Sequence, residues 1–198
     1  MVAAQIALEL HAVLMMLLTD AIQLPREETA VAGINQDGSF TYNNSYSPGE
    51  IEEFISEYHT FIEQEKMQKL QAMHRLQGKG GLIRKEFLRD HVVILVSDGL
   101  SNGFSLDLAV EYLKPIKIKK LVMATPLASV PAVDRMHILA DEIVCLDVIE
   151  DYINTDHYYE QHDVPDHEAV IKSIETIVDH WQEPKPSQAS ASITPPKR

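Results

Sequence analysis

The sequence predicts an α/β fold: a mostly parallel sheet flanked by helices, carrying a small hairpin and a long helical insertion. Three observations predict it. The apolar run Val92-Val-Ile-Leu-Val96 empties into a loop of small residues, Ser97 to Ser105, and a periodic segment with Leu106, Ala109, Val110 and Leu113 follows. An unbroken apolar run of this length reads as a strand buried on both faces. From there on, short apolar runs alternate with helical periodicity, the signature of βα units with right-handed crossovers. Earlier in the chain, Asn35-Gln-Asp-Gly38 stands between two short β-prone segments as a turn signal.

In chain order, Ala3–Glu9 reads as a helix and Ala12–Leu18 as a buried strand. Ala30–Ile34 and Ser39–Tyr42 flank the hairpin turn. Ser47-Pro48-Gly-Glu50 opens a helix, with Ser47 as cap, Pro48 at the first position and Glu50 three residues on. Ile51, Phe54, Ile55, Tyr58, Phe61, Ile62, Leu70 and Met73 give that helix an apolar stripe, which fits core packing or a homodimer seam. Gln77-Gly-Lys-Gly-Gly81 ends it. Lys79, Arg84, Lys85 and Arg89 then form a basic loop in an acidic chain. Leu121–Ala124 is a strand, Val130–Ala140 a helix and Ile143–Leu146 a strand. A last helix spans Ala169–Trp181, with Ile171, Ile174, Ile177, Val178 and Trp181 on its apolar side. Residues 1–182 form one domain. Residues 183–198, rich in Pro and Ser, read as a disordered tail.

Composition sets bounds. At 198 residues, one core is the default, and 45% hydrophobic residues suffice to build it. A net charge of −13 argues against a nucleic-acid partner, because phosphate backbones need clustered Lys and Arg. The single cysteine, Cys145, lies in an apolar run and reads as a buried thiol in a reducing cytoplasm. Glu9 and His11 interrupt the apolar start, and no Lys or Arg precedes Arg26, so no export signal is evident. No apolar run reaches the ~20 residues that span a bilayer, and no membrane partner is expected.

The chemistry concentrates in the loop after Val96. A strand, a tight loop and a helix start make an anion site, because the first helical N–H groups lack internal partners and face the loop with the positive end of the helix dipole. Asp98 stands at the carboxyl end of the strand, where open α/β sheets place ligand groups.

Ser97-Asp98-Gly99-Leu100-Ser101-Asn102-Gly103-Phe104-Ser105 resembles the phosphoribosyl-pyrophosphate (PRPP) loop of the type I phosphoribosyltransferases. That loop has an apolar run, two acids, Gly, two variable residues, Thr, Gly, any residue and Thr. Asp98, Gly99 and Gly103 match it, and Ser105 is a conservative match. Ser97 replaces the first acid and Asn102 the first Thr. The resemblance extends from about Ala3 to about Ile171, in a layout like that of a subgroup of predicted bacterial phosphoribosyltransferases. It covers the Glu28-Thr-Ala-Val-Ala-Gly33 segment, the long charged helix, Val122-Met-Ala-Thr-Pro126, Ala140-Asp-Glu-Ile-Val-Cys145 and Tyr158-Tyr159-Glu160. It implies a type I phosphoribosyltransferase-like fold and a small-molecule phosphoribosyl ligand. It implies that Asp98 is the catalytic residue that positions ribose, with Ser97 beside it. Gly99 and the N–H groups and hydroxyls of Ser101, Asn102, Gly103, Phe104 and Ser105 would hold the 5-phosphate. For an active enzyme it implies Mg²⁺ and transfer of phosphoribosyl to a nitrogenous acceptor with release of pyrophosphate.

Three departures bear on activity. Ser97 removes one of the paired acids. Thr19-Asp20 stands where the family has Arg-Lys facing the pyrophosphate. The chain also starts inside the helix that should follow an opening strand, for which a truncated start is the most economical expectation. A helix terminus contributes about 0.3–1 kcal/mol to an exposed anion. A unit charge about 5 Å away, at an effective dielectric near 20, contributes roughly 3 kcal/mol. An acid in place of a cation therefore outweighs the helix terminus. The sequence-based expectation is a surviving 5-phosphate subsite and a weakened pyrophosphate subsite. The alternative class is a degenerate, non-catalytic nucleotide-binding or interaction module.

Other constellations carry less. His157, His162 and His167 recur every five residues, which suits neither a helix face nor strand alternation, so no metal site is expected there. Tyr158 and Tyr159 match an aromatic pair of the family, and packing is the favoured role over stacking on a base. Gly-x-Gly-x-x-Gly is absent, which disfavours a dinucleotide reading.

Overall fold

The computed structural model describes residues 2–77, 85–160, 168–170 and 172. It shows a mixed α/β chain with two sheets. Helix α1 spans Val2–Leu10. Strands β1 (Thr19–Ile22), β2 (Ala32–Asn35) and β3 (Phe40–Tyr42) form an antiparallel sheet in that order. Helix α2 (Pro48–Gln77) follows. Strand β4 (Val92–Val96), helix α3 (Phe104–Leu113), strand β5 (Lys120–Ser129), helix α4 (Val130–Leu139) and strand β6 (Glu142–Ile149) form two βα units with a parallel sheet ordered β4-β5-β6. Among the described residues no helix is long and apolar enough to cross a membrane.

Local chemistry explains most elements. The Asn35–Gly38 turn takes its shape from Asn35, whose Oδ1 accepts from the N–H of Asp37 at 3.1 Å and of Ser39 at 3.2 Å. Gly38 supplies the positive φ of 82° that the turn needs. At the head of α2 the capping box closes: Glu50 Oε2 accepts from the Ser47 N–H at 2.8 Å, and the Glu50 N–H reaches Ser47 Oγ at 3.4 Å. The middle of the apolar stripe of α2 packs in the core. Ile62, with Phe54, Tyr58 and Phe61, packs on Ile22, Val31 and Ala32 of the antiparallel layer. A departure from helical geometry at Tyr58 (φ −113°, ψ 15°) kinks α2.

Two expectations are corrected. Residues 12–18 form no strand; the strand begins at Thr19 and belongs to the antiparallel sheet, pairing Thr19 with Asn35. Apolar character alone does not make a strand without a partner for its backbone. Here β4 is bonded to β5 on one edge, and its other edge borders a cavity of about 600 Å³ whose far wall includes Val13, Leu14, Met15 and Leu17. The second correction concerns β5, which runs through Pro126 to Ser129 instead of stopping before it. The Ser97 N–H bonds to the Ala124 carbonyl, yet the Leu100 N–H bonds to the Leu127 carbonyl and the Ser129 N–H to that of Leu100. The side that β5 turns to its neighbour shifts by one residue across Thr125–Pro126. That kink absorbs the proline's missing donor and carries Ala128 into the core.

The tail (183–198), Lys79 and Arg84, His162 and His167 and most of the expected last helix lie outside the described residues. Residues 168–170 and 172 are helical. Lys85 opens a 3₁₀ turn, Lys85–Leu88, where it pairs with Asp37 and sits 4.5 Å from the Tyr112 ring centroid.

One core joins α3 and α4 to the parallel sheet: Leu106, Tyr112, Leu113, Ala132 and Met136 meet Leu121 and Met123. The carboxylate of Asp107 on α3, 9% exposed, is held there by Arg135 of α4, whose Nε lies 2.7 Å from Asp107 Oδ1 and whose Nη2 binds the same oxygen. Arg135→Met leaves that carboxylate nearly buried without its partner. A loss of about 2–3 kcal/mol is expected, read as a lower urea midpoint, and Asp107→Leu in the same chain restores most of it. Burial pushes the Cys145 thiol above its ordinary pKa. At pH 8 less of it is thiolate than in a free cysteine, so labelling by a disulfide reagent is slow, quickens as pH rises and reaches the free-thiol rate on unfolding.

Candidate functional site

The site predicted from sequence lies between the end of β4 and the start of α3. Its position follows from burial. Five apolar residues carry β4 out of the core, and Phe104, 5% exposed, anchors the first turn of α3 in it again. The eight predicted residues, Ser97 to Gly99 and Ser101 to Ser105, therefore span one turn between two fixed ends. Gly103 sits at φ 76°, in the left-handed region, immediately before α3. A Cβ there would lie 2.9 Å from Arg135 Cβ, so both backbone conformation and contact require glycine.

The donors of this turn divide into spent and unspent. The Phe104 N–H is bonded at 3.0 Å to Asn102 Oδ1, so Asn102 caps the helix rather than offering its side chain to a ligand. The Leu100 N–H is bonded to β5. Ser97 Oγ donates to the Gly99 carbonyl at 2.9 Å and accepts from the Gly99 N–H at 3.4 Å, which ties up the hydroxyl assigned to ribose. The backbone N–H groups of Ser101, Asn102, Gly103 and Ser105, by contrast, meet no acceptor among the described residues. Ser101, Asn102 and Ser105 are exposed. Three of these amides lie in the turn before the ten-residue α3 and one in its first turn, an arrangement that suits an anion. Asp98 is exposed, and its carboxylate has no hydrogen-bond or ion-pair partner among the described residues.

Several residues that shape the site escaped the sequence reading. Tyr152 and Thr155 close over Gly99: a Cβ at 99 would lie 2.5 Å from the Tyr152 hydroxyl and 2.7 Å from Thr155 Oγ1. Those two hydroxyls are bonded to each other at 2.8 Å. Tyr159 Oη donates to the Asp98 carbonyl at 2.7 Å. Burial, then the nearby Asp98 charge, pushes the Tyr159 phenol above its ordinary pKa, so it stays a donor. The two tyrosines of the aromatic pair thus differ. Tyr158 Oη donates to the Asp151 carbonyl and stays within its own turn, while Tyr159 reaches the loop. Ser129 Oγ, besides capping α4, bonds to the Ser101 carbonyl at 2.5 Å.

Ser97 and Ser105 border the cavity beside β4, and Thr19 lies on it too. Asp20 is paired with Lys69 of α2 at 3.0 Å. The acid that the resemblance sets in place of a cation thus has a cation beside it, 49 residues away in sequence. His157, the described member of the histidine series, packs edge-on to Tyr158 at 5.0 Å. No group of three metal-ligating side chains occurs among the described residues.

No family model matches the chain, and no curated protein matches it. The structure is similar to the crystal structure of TT1426 from Thermus thermophilus, with a TM-score of 0.62 over 91% of this chain and 82% of that one. At 22% identity, that likeness shows a shared α/β fold, and the fold alone.

Proposed function

We propose that this chain is a phosphoribosyltransferase-like protein whose loop 97–105 binds a phosphorylated ribose or nucleotide. The observation that carries the reading is the set of four unpaired amides, at Ser101, Asn102, Gly103 and Ser105, next to the exposed carboxylate of Asp98. The amides suit a phosphate, and the carboxylate suits the vicinal hydroxyls of a sugar. The type I phosphoribosyltransferase resemblance of the loop supports the same pairing of groups.

Two observations favour binding without transfer. The Ser97 hydroxyl is tied to Gly99, which leaves Asp98 as the one carboxylate of the loop. Asp20, although paired with Lys69, replaces a cation that the pyrophosphate subsite of the family uses. A single carboxylate fits Mg²⁺ when the metal arrives on a diphosphate, since Mg²⁺ commonly takes one or two protein carboxylates plus substrate oxygens. In an active enzyme Mg²⁺ would neutralise the leaving pyrophosphate, and Asp98 would orient the ribose.

Calorimetry separates these readings. Ribose 5-phosphate is expected to bind, and PRPP with Mg²⁺ to bind no tighter. Asp98→Asn is expected to weaken ribose 5-phosphate by roughly 10- to 100-fold, the loss of one charged hydrogen-bonding group at about 1.5–3 kcal/mol. Clearly tighter PRPP binding, with pyrophosphate release that Asp98→Asn abolishes, would establish a transferase. Absence of heat with either ligand would sink the loop as a phosphate site.

A further inference from the structure

We propose that Tyr159 is a second sugar-binding group of the site, its phenolic oxygen accepting one hydroxyl of a vicinal diol while the Asp98 carboxylate accepts the other. This rests on the sugar-phosphate reading above and names the feature of the sugar that is recognised. The loop by itself offers one charged acceptor. Ser97 adds none, because its hydroxyl is spent on Gly99. Tyr159 Oη donates its proton to the Asp98 carbonyl at 2.7 Å, and no other partner reaches it among the described residues. A phenol donates once and can also accept. With its proton committed, this one is left with lone pairs, so it takes a hydroxyl and offers nothing to a phosphate oxygen. The Asp98 carboxylate has the same preference.

The fold places this oxygen through bonds of its own. After β6 the chain makes a 3₁₀ turn at Thr155–Tyr158 that is stitched to itself. Asn154 Oδ1 accepts from the His157 N–H at 2.9 Å. Tyr158 Oη accepts from the Ile153 N–H and donates to the Asp151 carbonyl, both at 3.2 Å. Tyr159 follows directly, half-buried, with its hydroxyl at the loop. The Tyr152 and Thr155 hydroxyls, 2.8 Å apart, lie against Gly99. Burial, then the Asp98 charge and then Tyr152 raise the Tyr159 pKa, so the carboxylate and both tyrosine hydroxyls share one corner. The phenol keeps its proton at neutral pH, and its oxygen stays an acceptor.

Calorimetry with ribose 5-phosphate and 2-deoxyribose 5-phosphate reads the diol directly. The wild type is expected to prefer the ribose compound about tenfold, the worth of one hydroxyl bond. Tyr159→Phe is expected to weaken ribose 5-phosphate by the same factor and to leave 2-deoxyribose 5-phosphate unchanged, because a lone hydroxyl goes to the charged acceptor. The preference then disappears. A tyrosine that merely braces the loop behaves otherwise: its loss weakens both ligands alike, and that result overturns the proposal. A variant that keeps the preference overturns it too. So does a wild type that binds the two sugars equally, a measurement that needs no variant to fold and that leaves the phosphate reading standing. A wild type that binds neither sinks the phosphate reading and this proposal with it.

Discussion

The burial of α3 on nearly every side is the constraint on which the rest of the molecule depends. Leu106, Tyr112 and Leu113 face the parallel sheet, while Leu108 faces the antiparallel one. The second contact is close. A Cβ on Gly33 would lie 2.5 Å from Leu108 Cδ1, and Asn35 Nδ2 reaches the Leu108 carbonyl at 3.4 Å. One helix therefore locks both sheets. Its buried charge, Asp107, survives burial only because Arg135 is brought to it. The turn before the helix opens to solvent at Ser101, Asn102 and Ser105, and the unpaired amides are there. A ligand cup built on the end of a helix held this firmly needs little ordering when something binds, and that lowers the entropic cost of binding.

Local order was legible where short-range chemistry decides it. The Asn35–Gly38 turn, the Ser47–Glu50 capping box and the apolar strand before the loop are all set by neighbours within a few residues, and each has its structural counterpart. Residues 12–18 show where that reasoning stops. They have the composition of a buried strand, but a strand also needs a second backbone at about 4.7–4.9 Å. The backbone beside them, β4, stands across a cavity. Composition reports which residues leave water; it does not report which edge receives them. Pro126 makes the complementary point, since a residue that usually ends a strand is carried through β5 by a one-residue shift in pairing.

The candidate site divides in the same way. The loop residues are those that the phosphoribosyltransferase resemblance implies, and the structure gives them different fates. Asn102 and Ser97 spend their side chains inside the turn, while Asp98 and four amides remain available. The residues that cover or brace the loop come from far along the chain: Tyr152 and Thr155 over Gly99, Tyr159 on Asp98, Ser129 on Ser101. No spacing rule links positions so far apart in sequence. The one faint signal was the Tyr158–Tyr159 pair, and periodicity could not say which of the two turns inward.

A net charge of −13 looks hostile to an anion, and the local arrangement explains why it need not be. Charges beyond about 8 Å are largely screened at physiological ionic strength, so the site feels its neighbours rather than the total. Among those neighbours, Asp107 is paired with Arg135, and Asp20 with Lys69. The loop itself carries the carboxylate of Asp98 and the positive end of α3. Those two groups demand opposite things of a ligand, hydroxyl donors for one and an anion for the other. An inorganic anion satisfies the amides and is repelled by Asp98. In the proposed reading a sugar phosphate satisfies both, its ring carrying the hydroxyls to the carboxylate and holding the phosphate away from it. On that reading, the acid that disfavours free phosphate is the group that gives a phosphorylated sugar its advantage.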